Sequence, residues 1–284
     1  MFFILGVIFA GLWASASVAA KIGVAYMEPL VLFQIRFFLG AFILLAYSFI
    51  FEKWRFPTKS EYKDLVIFGF FNITLYLSLF VVAIKEVAAG IGSLATSMGP
   101  LLMSIIGTMV YKQKLKTHQI FGLIFGLIGV WITVVPLLEG KLATPKGLVL
   151  LFISMLSYSA ASLFYAHREW TLSTYAINGW QLLFGAIFLL PATMYMKQLP
   201  IVITSQAVFS ILWLVLAVSI LSVNIWLRML KIDPLRASFF LFLCPIFGFI
   251  FASKLLNEPF TIYTLVGLLL VLFGLYLGQK RKTI

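Results

Sequence analysis

Residues 239–251 read FFLFLCPIFGFIF and residues 265–273 read LVGLLLVLF. Neither stretch has a polar side at the helical period or at the strand period. A helix lying on a soluble core shows a polar stripe. A strand of a membrane β-barrel alternates apolar and polar residues over segments of about ten. Segments apolar on every face predict helices set in hydrocarbon, where each backbone group is satisfied within its own element.

Working outward from these two, similar runs fill the chain. They cover Phe2–Ala20, Leu30–Phe51, Leu65–Ile84, Gly90–Tyr111, Ile120–Pro136, Gly147–Ala166, Tyr175–Tyr195, Ala207–Leu227, Ala237–Leu256 and Ile262–Gly278. Each is close to the roughly 20 residues that a helical span requires. The pattern predicts an all-α membrane protein with ten transmembrane helices in a lipid bilayer. The gaps are short, so no catalytic domain fits outside the membrane and any activity falls to the helices. The first run ends in the small residues Ser15, Ala16, Ser17, Val18, Ala19 and Ala20, as a cleavage site would. It lacks the basic n-region of a signal peptide, and it reads as a retained helix with a face for close packing.

Composition agrees. Of 284 residues, 63% are AVILMFWYC and 11% are charged, against about half and a quarter in soluble domains. A net charge of +12 would point to nucleic acid in a soluble chain. Here the basic residues sit in the gaps between apolar runs, so they read as topology signals and no nucleic-acid partner is expected. The lone Cys244 supports neither a disulfide nor a metal cluster. No cofactor or metal is expected.

Lys and Arg mark the cytoplasmic side. Alternate gaps hold Lys53, Arg55, Lys59 and Lys63, then Lys112, Lys114 and Lys116, then Arg168, then Arg228, Lys231 and Arg236, with Lys280, Arg281 and Lys282 in the tail. The opposite gaps hold only Lys21, Lys85, Lys141, Lys146, Lys197 and Lys254. This bias predicts that the N and C termini are both cytoplasmic, as an even span count requires.

Set against itself at an offset of 145 positions, the chain aligns without a gap over the regions compared. Pro100 falls on Pro245, Gly122 on Gly267, Gly129 on Gly274, Ser93 on Ser238, Ile105 on Ile250, Leu123 on Leu268, and Trp13 on Tyr158. This predicts a repeat. Residues 1–137 form a first five-helix unit, 138–146 a linker with Gly140 and Pro145, and 147–284 a second five-helix unit. Five is odd, so the second unit enters the membrane from the opposite side and the repeats are inverted. Alternating-access carriers are built this way, with the substrate near the midplane between repeats.

These residues carry a family likeness. Gly11, Leu12, Trp13, Ala14 and Ser15 stand in the first helix, Arg36 in the second, and Ala88, Ala89 and Gly90 lead to Pro100 in the fourth. The second half has Trp180 and Gln181, then Asp233, Pro234, Leu235, Arg236, Ala237 and Ser238 leading to Pro245, then Glu258 and Gly267. In this order the chain resembles the drug/metabolite transporter superfamily, in its ten-helix EamA-type branch, over essentially its whole length. The family often has Gly-Glu after the fourth helix. Gln113 and Lys114 stand there instead, while Glu258 keeps the acid in the second half. The resemblance implies a multi-pass carrier in a bacterial cytoplasmic (inner) membrane, moving a small metabolite, most often outward.

Polar groups inside a bilayer are costly unless they line a cavity or find partners. The candidates for a substrate site are Trp13 and Ser17, one turn apart in the first helix, and Asn72 and Tyr76, one turn apart in the third. Thr96 precedes Pro100 by four residues and Leu241 precedes Pro245 by four, so each proline frees a carbonyl and marks a helix break or hinge. Tyr158, Ser162 and Tyr165 share a face of the sixth helix, Gln181 lies in the seventh and Asn224 in the eighth. Packing, back-bonding to the helix and interhelical bonds are the plainer readings of each. Arg36 is the one charge well inside a span, roughly 9 Å deep. It either snorkels to the interface or faces a cavity, where it favours a carboxylate or phosphate.

No acid lies deep in a span and both histidines are at span edges, so no buried proton relay is evident. An intramembrane enzyme would need a nucleophile–base pair or metal ligands, and none is present. A channel filter is also missing. The aromatic and hydroxyl groups suit an amino acid or a related amphipathic substrate. A membrane-embedded sensor or interaction protein without transport stays as the alternative, alongside a channel. The glycines of the fifth and tenth helices (Gly122, Gly126, Gly129, Gly267 and Gly274) allow a homodimer contact.

Overall fold

The structure is a computed structural model that describes residues 1–52, 55–83, 86, 95–134, 144–196, 200–256 and 262–279, leaving aside the side chains of 133–134, 249, 252–256 and 264. Among the described residues every regular element is a helix. They are α1 (Phe2–Gly23), α2 (Pro29–Phe51), α3 (Lys59–Ala83), α4 (Ala95–Met109), α5 (Thr117–Val134), α6 (Pro145–His167), α7 (Thr174–Met196), α8 (Ser205–Ile232), α9 (234–256) and α10 (Ile262–Gln279). Six of them (α1, α2, α3, α6, α7 and α8) are long and apolar enough to cross a membrane. The others contain shorter apolar helices: Ala95–Met109, Thr117–Ile132, Pro234–Gly248 and Leu265–Gln279. The expected run start at Gly90, the motif Ala88, Ala89 and Gly90, Ser93, linker residues 138–143 and Glu258 lie outside the described residues.

The helices begin where side chains can satisfy their first N–H groups. Thr58 and Glu61 form a capping box, so α3 starts at Lys59, ahead of the apolar run from Leu65. Thr144 accepts from Gly147 N–H with Pro145 in the first turn, Thr204 accepts from Ala207 N–H, and Asp233 accepts from Arg236 N–H with Pro234 following it. The Asp233–Pro234 cap places the start of α9 before the apolar residues begin. Three helices carry local irregularity. Residues Phe70–Leu75 of α3 and Leu214–Ser222 of α8 are π-helical, and Phe239–Phe242 of α9 is a 3-10 turn.

The outside of the bundle is apolar. Phe42, Phe51, Met109, Tyr195, Leu269 and Tyr276 are largely exposed, a surface suited to lipid and not to water. Inside, α1 packs on α8 and α9, while α6 packs on α3 and α4. In addition α2 lies against α7, and α5 against α10. The α3–α6 pair is fastened at both ends. At one end Arg55 bonds both Glu61 oxygens at 2.7 and 2.8 Å, Thr171 Oγ1 donates to Glu61 at 2.7 Å, and Arg168 Nε meets Asp64 at 2.6 Å. At the other, Lys146 Nζ meets Glu86 at 2.8 Å and Thr144 Oγ1 donates to the same carboxylate at 2.6 Å. The Lys146 ammonium and the Thr144 hydroxyl hold the Glu86 carboxyl below the usual range.

The α5–α10 contact is made by glycine. A Cβ on Gly122 would meet the Gly274 carbonyl at 2.7 Å, and one on Gly129 would meet the Gly267 carbonyl at 2.7 Å. A Cβ on Gly274 would meet Gly126 N at 2.6 Å and Gly122 O at 2.7 Å. Four of the glycines singled out above, Gly122, Gly129, Gly267 and Gly274, thus meet within one chain. At Gly274 the atoms met are backbone, which cannot move aside as a side chain can. Gly274→Ala is expected to cost about 1–3 kcal/mol as overpacking, read as a lowered thermal midpoint in detergent. Gly11→Ala is the control, since nothing lies within 4 Å of its Cβ position, and its midpoint should be unchanged.

Candidate functional site

A line of buried side chains crosses the bundle. Asn72 Nδ2 donates to Gln181 Oε1 at 2.9 Å, Gln181 Nε2 donates to Asn178 Oδ1 at 2.9 Å, and Asn178 Nδ2 donates to the Ser219 carbonyl at 2.9 Å. Arg36 Nε closes the line by donating to Ser219 Oγ at 2.7 Å. Two further bonds run alongside: Gln34 Nε2 to the Ala186 carbonyl at 2.9 Å, and Thr74 Oγ1 to the Gly185 carbonyl at 2.9 Å. The line links α2, α3, α7 and α8. Asn72 and Ser219 lie in the two π-helical segments. A π turn holds an extra residue and shifts the face its neighbours present, a device frequent at functional sites.

Beside this line stands a group of rings centred on Tyr158 of α6. Its centroid is 6.1 Å from Trp13 of α1, 5.2 Å from Tyr76 of α3 and 6.3 Å from Trp226 of α8. Trp226 in turn stacks on Phe9 at 4.7 Å. Tyr76 joins the two features, since it also packs against the core group that includes Phe37, the chain neighbour of Arg36. The Tyr158 hydroxyl and the Ser159 and Ser162 Oγ atoms are buried without a well-formed hydrogen bond, as is Asn72 Oδ1. Unsatisfied buried polar atoms are uncommon in folded proteins and call for an explanation.

Arg36 does not snorkel to the interface. It is 6% exposed, bonded to Ser219, with its guanidinium carbon 5.6 Å from the Phe33 ring centroid and 5.3 Å from that of Phe37. Asn72, Gln181 and Arg36 thus fall in one line, and Trp13, Tyr76 and Tyr158 in one ring group, with Ser162 one turn from Tyr158.

The other expected residues lie elsewhere. Ser17 is exposed and donates back to the Ala14 carbonyl at 2.8 Å. Asn224 donates to the Ile220 carbonyl one turn back at 2.6 Å. Tyr165 stacks on Phe68 at 5.3 Å and on Trp170 at 5.8 Å, beside the charged end of the α3–α6 pair. The face it shares with Tyr158 on one helix therefore divides between two environments. Thr96 stands half-buried on the short turn that precedes Met98. The helix restarts at Gly99, so Pro100 sits in a first turn, where its missing N–H is not needed. Pro245 lies in the first turn of the α-helical stretch Leu243–Leu256, which follows the 3-10 turn Phe239–Phe242.

Asn178, Ser219, Gln34 and Trp226 were not singled out from the sequence. Asn178 had a signal, standing one turn before Gln181. Ser219 did not, because an isolated serine in an apolar helix carries no mark of its partner. Two surface clefts lie apart from the site. One, of about 660 Å³, is apolar and includes Phe42, Leu45, Phe49 and Trp180. The other, of about 470 Å³, includes Lys114, Lys116, Asp233 and Arg236.

Comparison with known proteins places the chain. Residues 1–135 and 145–278 match the EamA-like transporter family. An uncharacterized transporter of Bacillus subtilis, YoaV, is 26% identical over 278 residues, covering 95% of this chain and 95% of its own length. A probable amino-acid metabolite efflux pump of Salmonella typhimurium is 25% identical, over 94% of this chain and 90% of its own. A crystal structure with 16% identity superposes with a TM-score of 0.81 over 97% of this chain and 95% of that one, a likeness of fold alone. This chain belongs to the EamA-like transporter family.

Proposed function

We propose that the protein is an alternating-access carrier of the bacterial cytoplasmic membrane that exports an amino acid or a related amphipathic compound. In this reading ten spans form two inverted five-helix repeats, 1–137 and 147–284, joined by 138–146, with both termini cytoplasmic. The observation that carries it is the composition of the buried centre. Tyr158 of the second repeat holds rings of the first, Trp13 and Tyr76, while Arg36 of the first is bonded to Ser219 of the second. A site shared between repeats is where a rocking carrier binds its substrate.

Contacts related by exchange of the repeats support the inversion. With an offset of 145 positions, the Gly122–Gly274 contact becomes the Gly129–Gly267 contact. The same exchange lays the π segment of α3 within that of α8, and puts Gln181 at the position of Arg36. It also turns the packing of α1 on α8 and α9 into that of α6 on α3 and α4. The amphipathic substrate follows from the ring group beside polar side chains. The probable amino-acid metabolite efflux pump among the relatives supports the same class.

The carrier reading predicts saturable flux in liposomes for at least one labelled amino acid or relative. Trp13→Ala and Tyr158→Ala should each reduce it at least tenfold, with elution profile and thermal midpoint near wild type. Unchanged flux in both variants would remove the ring group from the site.

The orientation has a separate check. Cys244 is the sole cysteine and is buried, so Cys244→Ser gives a clean background. On it, Lys21→Cys and Lys146→Cys should react with an impermeant maleimide added to intact cells. Lys112→Cys and Lys231→Cys should react only after the membrane is opened. The reverse pattern would invert the topology.

A further inference from the structure

We infer that Arg36 is the anchor for a carboxylate on the transported compound, so that the site selects organic acids and zwitterions over their amides and amines. The inference rests on the carrier reading and names the substrate class of that same site.

The guanidinium has five N–H donors in a planar fork. Among the described residues one is spent, from Nε to Ser219 Oγ. The rings of Phe33 and Phe37 approach it without accepting a hydrogen bond in the usual sense. Among the described residues no carboxylate is bonded to it. Glu61 is taken by Arg55, Asp64 by Arg168 and Glu86 by Lys146, while Glu52 accepts from Ser173 and Asp233 from Arg236 N–H. A buried cation without a counter-ion is strongly disfavoured. A tie between helices does not need it. At the position equivalent to Arg36, the neutral Gln181 makes two interhelical and intrahelical hydrogen bonds of the same line. The charge at 36 therefore exceeds what the line requires, and the remaining requirement is for an anion.

The geometry favours carboxylate over phosphate. With Nε held by Ser219, the two Nη groups offer parallel N–H donors, the arrangement that meets both oxygens of a carboxylate. A single charge balances a monoanion. A phosphate dianion would want a second cation, and no other Lys or Arg stands well inside a span. Tyr76 packs against the core group that holds Phe37, over which the Arg36 guanidinium lies, and its ring meets Tyr158, which in turn meets Trp13. A compound with its carboxylate at Arg36 has those ring faces beside it for an apolar body or an ammonium group.

The test is a binding titration on purified full-length protein in detergent, read as thermal stabilisation. The probes are the twenty amino acids, their carboxamides and decarboxylated amines, simple mono- and dicarboxylates, and inorganic phosphate. At least one acid should bind, with its amide and amine at least tenfold weaker. Arg36→Gln should weaken the acid at least tenfold and leave the amide within threefold. Ser219→Ala should keep the preference for acid over amide, because the charge stays. Should Arg36→Gln fail to fold, Arg36→Lys decides: weaker acid binding with the preference kept is expected, and loss of the preference overturns the inference. It is also overturned if no acid binds, if phosphate alone binds, or if Arg36→Gln weakens acid and amide alike. Liposome flux separates this from the carrier reading. Arg36-dependent acid binding without any flux supports the anchor and refutes the carrier. Flux indifferent to both the carboxylate and Arg36→Gln supports the carrier and refutes the anchor.

Discussion

Hydrocarbon offers no hydrogen-bond partner, so a polar side chain inside the bundle has only other protein groups to turn to. That constraint organises the centre of this protein. Asn72, Gln181, Asn178, Ser219 and Arg36 meet because each would otherwise be alone, and in meeting they fix the spacing of α2, α3, α7 and α8. Close approach is a condition for it. A Cβ on Gly69 would strike the Gln181 carbonyl at 2.7 Å, and one on Gly40 would lie 3.1 Å from Leu182 and 3.5 Å from Ser219 Cβ. Small residues on one helix thus let the amides and hydroxyls of another come within bonding range.

The contacts elsewhere are of two other kinds. Between α5 and α10 glycine backbone lies on glycine backbone, with Phe125 on Phe273 beside it. Such a seam suits a part that stays fixed. At the ends of α3 and α6 the fastenings are charged and reach the water, where an ion pair contributes little but is easily remade. The centre differs from both. Its rings touch at centroid distances of 5.2–6.3 Å around Tyr158, and several of its polar atoms are unsatisfied. Groups that are buried but incompletely bonded lose least when their neighbours are replaced, so in the proposed carrier the centre is the region best able to open.

The helices were legible because hydrophobicity is a local property. A run such as residues 265–273 declares itself without reference to any partner, and the caps at Thr58, Thr144 and Asp233 mark starts by short-range chemistry. The ring group was partly legible for a different reason. Trp13 and Tyr158 stand at equivalent places in the two halves and are large enough that neighbours must accommodate them. The hydrogen-bonded line was less legible, since its partners are set by π turns and by helix register. Neither leaves a mark in composition. Tyr165 shows the limit of reading by face. It shares a helical stripe with Tyr158, yet two turns carry it into the layer of Phe68 and Trp170. Pro100 marks a place rather than a partner: α4 is interrupted at Met98, two residues before it, between a first turn from Ala95 and the helix from Gly99.

A repeated scaffold need not hold a symmetric centre. At an offset of 145 positions Arg36 falls on Gln181 and Thr74 on Ser219. Both members of each pair are buried and bonded across helices, so the scaffold uses the two positions alike. Only one is charged. On the anchoring proposed above, a compound with a single carboxylate finds one place, not two, for its charged end, and the ring group beside Tyr76 and Tyr158 receives the rest. In the proposed carrier, rocking of the repeats would change which side of the membrane meets the site without moving the charge to the other repeat. The substrate would then be held by the same end throughout the cycle. The direction in which it leaves would be decided by which side opens and by the concentrations there, not by a change in the groups that bind it.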